Sequence, residues 1–187
     1  MWRFPRFSAF PVYLCCVPLV CAAFVSCAPK GIEGLLTRSY AGGQQQEGKI
    51  AYAENPPLGG AYSPLWQKCG AYTAPLYDEY AVHSLERGAV WVVYSPALPA
   101  AEVSKLKSAL SGYASWLLSP RAGLPGPLVV SAWNAQVRAS GAEDERVAAF
   151  LERYAQPLQP GQNSKGAQAS TAPEQTLGCA GGYSGTQ

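Results

Sequence analysis

The chain contains a single histidine, His83, carried in Ala81-Val82-His83-Ser84-Leu85-Glu86-Arg87-Gly88, which leads straight into the apolar run Ala89-Val90-Trp91-Val92-Val93-Tyr94. An imidazole titrates near neutral pH, so His83 with Glu86 offers the starting pair for proton transfer or metal ligation. Gly88 permits a sharp change of backbone direction between the polar cluster and the strand that follows. The cluster is therefore expected at the end of a core strand.

The motifs of better-defined chemistries are missing. There is no Gly-x-Ser-x-Gly elbow, no Gly-x-x-x-x-Gly-Lys phosphate loop and no Gly-x-Gly-x-x-Gly following a strand. A serine triad would have to recruit His83, and no serine is marked out as its partner. Cys69 with His83 would make a thiolate pair, but a disulfide is the simpler use of that cysteine. Asp78, Glu79 and Glu86 are candidate paired carboxylates, though charged residues near a turn are usually solvated. A multi-histidine metal site is excluded by count, which leaves only a reduced site of His83, Glu86 and further carboxylates. The structural alternative is that His83 and Glu86 satisfy backbone groups at a tight turn. No cofactor is expected.

The positioning elements follow from pattern. Ala89 to Tyr94 is β-branched and aromatic almost throughout, as in a central strand buried on both faces. Pro99 and Glu102 suit a helix start, and Val103, Leu106, Leu110, Tyr113 and Leu117 recur at helical spacing, so a helix is expected over 99–118. Leu128 to Trp133 reads as a second strand. Ser140 to Glu143 has the capping-box pattern ahead of Val147, Phe150, Leu151 and Tyr154 at i, i+3, i+4 and i+7. Trp66 to Tyr80 reads as irregular, with a short strand near Ala71-Tyr72; Trp66, Tyr77 and Tyr80 would line a groove or join the core. The expected class is α+β: a small mixed sheet carrying two amphipathic helices, with an irregular aromatic-rich amino-terminal half and a disordered tail. If the two strands are parallel neighbours, the 99–118 helix is a right-handed crossover; if not, the helices are expected on one face of a small sheet.

Length and composition limit the setting. With 187 residues, 48% of them hydrophobic and 14% charged, the chain supports one ordinary core. The net charge of +2 comes from Arg3 and Arg6, without which acidic and basic residues balance, so a nucleic-acid partner is not expected. Those two arginines precede an apolar run from Phe10 to Val25, interrupted by Pro11 and Pro18, which reads as an export signal over 1–26. Phe24-Val25-Ser26-Cys27 is similar to a lipobox with an atypical first residue, making Cys27 the expected lipid-bearing residue and membrane anchor. Cleavage near Ala28 and an uncleaved anchor are the alternatives. All three place the domain outside the cytoplasm, and the lipid on Cys27 would anchor it to a bacterial membrane.

Residues 27–49 have the composition of a flexible tether, 50–156 that of the globular domain, and 157–187 that of a low-complexity tail. Once Cys15, Cys16 and Cys21 leave with the signal and Cys27 carries lipid, only Cys69 and Cys179 remain. In an oxidising compartment they are either a disulfide that pins the tail or two unpaired thiols.

Asn55-Pro56-Pro57-Leu58-Gly59-Gly60-Ala61-Tyr62, Gly70-Ala71-Tyr72, Val82 to Val90 and Ser131-Ala132-Trp133 together resemble the bacterial domain-of-unknown-function family 3105, over roughly residues 50–156. The resemblance implies a secreted or membrane-attached protein and brings no established activity. Two departures bear on chemistry: Tyr62 stands where the family's first motif has histidine, and Arg87 stands where the second motif has its second histidine. His83 and Glu86 are then the remnant of a ligand set, since arginine is no neutral donor and repels a cation. The favoured expectation is a non-catalytic envelope lipoprotein that binds a protein or small ligand at His83, Glu86, Arg87 and Tyr62, or serves as an accessory subunit of a membrane assembly. The alternative is a metal-binding protein or enzyme with a reduced site around His83 and Glu86.

Overall fold

The computed structural model describes residues 31–158, 179 and 181–187. The export signal expected over 1–26 and the lipidation expected at Cys27 lie outside these residues, as do 159–178 and 180 of the tail.

The β-branched run forms a strand at Val90–Tyr94 (β3), where Val90 and Val92 enter one hydrophobic cluster and Trp91 and Val93 another. That alternation, with Val90 to Val93 buried and Tyr94 partly so, is the period-two rule applied to a sheet covered on both sides. β3 pairs in parallel with Trp116–Pro120 (β4) and antiparallel with Leu128–Ala132 (β5). β5 turns at Trp133-Asn134 into Ala135–Ala139 (β6), with Asn134 at φ 65° in the left-handed region that asparagine tolerates. Two short edges complete the sheet: Leu36–Thr37 (β1) on β6 and Gly70–Ala71 (β2) on β4, giving the order β1-β6-β5-β3-β4-β2. With mixed strand directions and three helices among the described residues, the protein is α+β.

The helices divide between the two faces rather than sharing one. Ala100–Leu110 (α2) and Glu145–Tyr154 (α3) insert Leu106, Leu110, Val147, Phe150 and Leu151 against Val90, Val92, Leu118 and Val130. A third helix, Asp78–Glu86 (α1), packs Ala81 and Leu85 with Leu76 and Cys179 against Trp91, Val93 and Leu117 on the opposite face. The sheet is buried on both sides, so each face needs its own cover.

Several local expectations are corrected. The helix expected to reach Leu118 stops at Leu110, with Ser111 as its cap, and Trp116-Leu117-Leu118 instead forms the inner strand β4. A sequence apolar on both faces suits a strand hydrogen-bonded on both sides, and this outweighs the helical spacing of Tyr113 and Leu117. Asp144, not Ser140, caps α3: its carboxylate accepts the Arg146 N–H at 3.1 Å and the Ser140 N–H and hydroxyl at 2.9 Å. Burial disfavours the Asp144 charge, but these donors, with the Arg146 guanidinium foremost, hold its carboxyl well below the usual range.

Residues 31–49, part of the expected tether, belong to the same compact unit as the rest of the described chain. β1 adds to the sheet, the Tyr40 N–H donates to Asn134 Oδ1 at 2.7 Å, and Asn134 Nδ2 returns a bond to the Tyr40 carbonyl. These pairings satisfy a backbone that composition alone leaves unpartnered. At the other end, Cys179 is disulfide-bonded to Cys69, and the Tyr183 backbone exchanges bonds with Trp66 and Lys68 at 2.8 Å each. The described part of the carboxy-terminal stretch is thus docked structure.

Candidate functional site

His83 lies in the middle of α1, not at a turn before β3. The helix starts after Tyr77 with Asp78 and Glu79 in its first turn, where acidic groups complement the dipole. It ends where the Arg87 and Gly88 N–H groups bond the His83 and Leu85 carbonyls, with Gly88 at φ 91° redirecting the chain into β3. On its inner side the fully buried Ser84 donates its hydroxyl to the Gln67 carbonyl at 2.7 Å, fastening the 66–69 segment to the helix.

The imidazole is 6% exposed and enclosed on three sides. Nδ1 lies 2.8 Å from the Ser63 carbonyl, which can only accept, so the neutral ring carries its proton there. Tyr62 stacks on one face at 4.5 Å between centroids, and Trp66 meets the ring edge-on at 5.5 Å. Burial pushes the His83 pKa below its ordinary value, and the Arg87 charge acts in the same direction. The Ser63 and Leu65 backbone bonds and the Glu86 charge oppose this and do not reverse it.

Tyr62, only 2% exposed, takes the Gly43 N–H on its hydroxyl at 2.9 Å and directs that hydroxyl to the Glu86 carboxylate. Its backbone pairs with Gln44 and Gln46, and Trp133 packs edge-on against its ring. Burial, aided by the Glu86 charge, pushes the phenol pKa upward against the Gly43 bond. Gly42 approaches so near that a Cβ there would stand 2.8 Å from Glu86 Oε1. Arg87 lays its guanidinium 4.1 Å from the centre of the Trp66 ring, a cation–π contact.

The four expected site residues are therefore neighbours, but they form no open site. His83 and Tyr62 fill space between α1 and the 42–46 and 62–66 segments, and Glu86 bonds inward to Tyr62. Among the described residues no three of His, Cys, Asp and Glu converge closely enough to hold a metal. Cys69 is committed to Cys179 and cannot form a thiolate pair with His83. The rim of this cluster carries Leu65, 54% exposed, beside the half-buried Trp66 and Arg87.

The aromatic and acidic residues of the preceding segment lie apart from the imidazole cluster. Tyr77, Tyr80, Asp78 and Glu79 surround a separate cavity at the start of α1, whereas Trp66 sits on His83. Asp78 and Glu79 are not simply solvated: Arg121 grips Asp78 through both guanidinium nitrogens, and Glu79 Oε1 accepts the Ile50 N–H at 2.9 Å. Sequence reasoning missed Ser63, Leu65 and Gly43, whose roles come from backbone groups and position. The Asp78-Glu79 start and the Gly88 stop were the available signals for α1.

A family model described as a protein of unknown function, DUF3105, matches residues 44–171, more than half of the chain. No curated protein and no solved structure matches it.

Proposed function

The chain belongs to the DUF3105 family, which carries no assigned activity, and on that premise we propose a non-catalytic envelope lipoprotein, anchored through lipid on Cys27, that binds a protein partner of a membrane assembly. The observation that carries this reading is the use made of the chemically capable side chains. His83, Tyr62 and Glu86 are engaged in fastening three segments together, which makes a rigid platform rather than a reacting centre. Its outward rim combines exposed Leu65 with Trp66 and Arg87, and tryptophan and arginine are among the residue types that dominate binding energy at protein interfaces. A platform whose side chains are held before contact loses little conformational freedom on binding. The partner surface thus centres on Leu65, Trp66 and Arg87, one layer outside His83.

The test is carried out on the full chain in its native membrane. Labelled palmitate should enter the protein and be lost in Cys27→Ala. A photo-crosslinker at Leu65 should capture a discrete envelope protein, and Arg87→Glu should abolish the adduct in a protein whose circular dichroism still shows the native fold. An unlipidated soluble protein, or crosslinking indifferent to Arg87→Glu, would overturn the proposal.

A further inference from the structure

At the amino-terminal end of α1 a cavity of about 520 Å³ has Ser63 in its wall, the same residue whose carbonyl receives His83. Tyr77 and Tyr80 form one side, with ring centroids 5.4 Å apart, and both rings also pack near Tyr183. Asp78 and Glu79 face the same space, and exposed Lys49 stands among its lining residues. The volume is that of an ordinary small-molecule pocket.

The two carboxylates differ in how they are neutralised. Asp78 is matched by Arg121, whose second nitrogen lies 2.7 Å from Oδ2. Glu79 is 9% exposed and holds one backbone N–H, yet among the described residues no lysine or arginine reaches it as an ion pair. A carboxylate so far removed from water is costly unless a positive group compensates it. The nearby Tyr52 hydroxyl registers the negative field: burial chiefly raises its pKa, and the charges of Glu79 and Asp78 raise it further.

We propose that this cavity binds a small organic ammonium ion, whose cationic head contacts the Tyr77 and Tyr80 rings and pairs with Glu79. Aromatic faces attract weakly hydrated cations, and a buried carboxylate supplies the full countercharge. A bare divalent metal fits less well, because among the described residues no three of His, Cys, Asp and Glu converge to hold one. The inference stands independently of the partner surface at Leu65, Trp66 and Arg87.

Tetramethylammonium is the probe, with tert-butanol as its neutral counterpart of similar shape and sodium chloride holding ionic strength constant. Ring resonances of Tyr77 and Tyr80 should shift saturably with tetramethylammonium and not with tert-butanol. Glu79→Gln keeps an acceptor for the Ile50 N–H but removes the charge, and should weaken binding at least about tenfold, the scale of a desolvated charged contact. Tyr77→Leu should also weaken it, and Lys49→Met should tighten it. Absence of saturable shifts, equal binding of tert-butanol, or unchanged affinity in a folded Glu79→Gln protein would overturn the proposal. Should Glu79→Gln fail to fold, the comparison of the two probes on the unaltered chain and the Tyr77→Leu titration still decide it.

Discussion

Replacing both Cys69 and Cys179 by serine tests how far the carboxy-terminal segment stabilises the fold. The two cysteines are 110 residues apart in sequence, and the intervening chain contains all three helices and five of the six strands of the described residues. On the chain-entropy model, closing a loop of that length removes enough freedom from the unfolded chain to stabilise the native state by about 4.8 kcal/mol. For a chain of this size, about 2–4 °C accompanies each kcal/mol, so the melting temperature should fall by roughly 10–20 °C. Burial adds to the loss, because Cys179 is fully enclosed beside Leu76, Leu85 and Trp91, and a serine there would place a polar hydroxyl among apolar side chains. Urea and thermal unfolding of the mature domain, followed by tryptophan fluorescence and circular dichroism, measure the difference. A loss below about 1 kcal/mol would refute the reasoning, since the linkage would then not constrain the unfolded chain as the model requires.

Three further outcomes follow from single side chains. Because His83 is the only histidine, one imidazole signal in a proton-detected titration reports its pKa, which should lie below the ordinary 6.5. The unfolded chain then binds the proton first, so stability should fall on acidification below 6.5, and His83→Gln should remove that component. Asp144→Ala should destabilise α3 by about 1 kcal/mol through loss of its cap, measured by urea unfolding near neutral pH. Since the Asp144 carboxyl is depressed in the folded state, its contribution is complete above its ordinary value of 3.8 and should disappear as pH falls through the folded value, an acid dependence absent from Asp144→Asn. Ser119→Ala strips the buried Trp91 Nε1–H of its acceptor at 2.9 Å and should cost about 1–3 kcal/mol in the same assay.

What was legible tracks the range over which each signal acts. The central strand, the second strand, the α3 periodicity and each family motif are contained in short windows of sequence, and the sequence conveys them. β4 was read as helix because Leu110, Tyr113 and Leu117 keep helical spacing; only its pairing with β3 on one side and β2 on the other makes Trp116-Leu117-Leu118 a strand. α1 was missed because it is nine residues long with no side-chain cap, so its stability rests on Ala81, Val82 and Leu85 meeting the sheet. β6 is not marked in the sequence, where Gln136 and Arg138 alternate with small or apolar residues over only five positions. In the fold the Gln136 amide donates to the Pro56 carbonyl and the Ser131 hydroxyl inside the protein.

The candidate site divides in the same way. Residue types and their patterning identify His83 as the sole imidazole and lead to the α+β class. Tertiary structure alone determines that Tyr62 closes over His83, that the 42–46 segment is fastened to α1 through Gly43 and Glu86, and that Glu79 faces a cavity beside two tyrosines. Sequence pattern records what each residue prefers among its near neighbours. Whether a polar side chain is solvated, structural or poised to receive a ligand depends on groups tens of residues away, brought within 3 Å only when the sheet and its covers assemble.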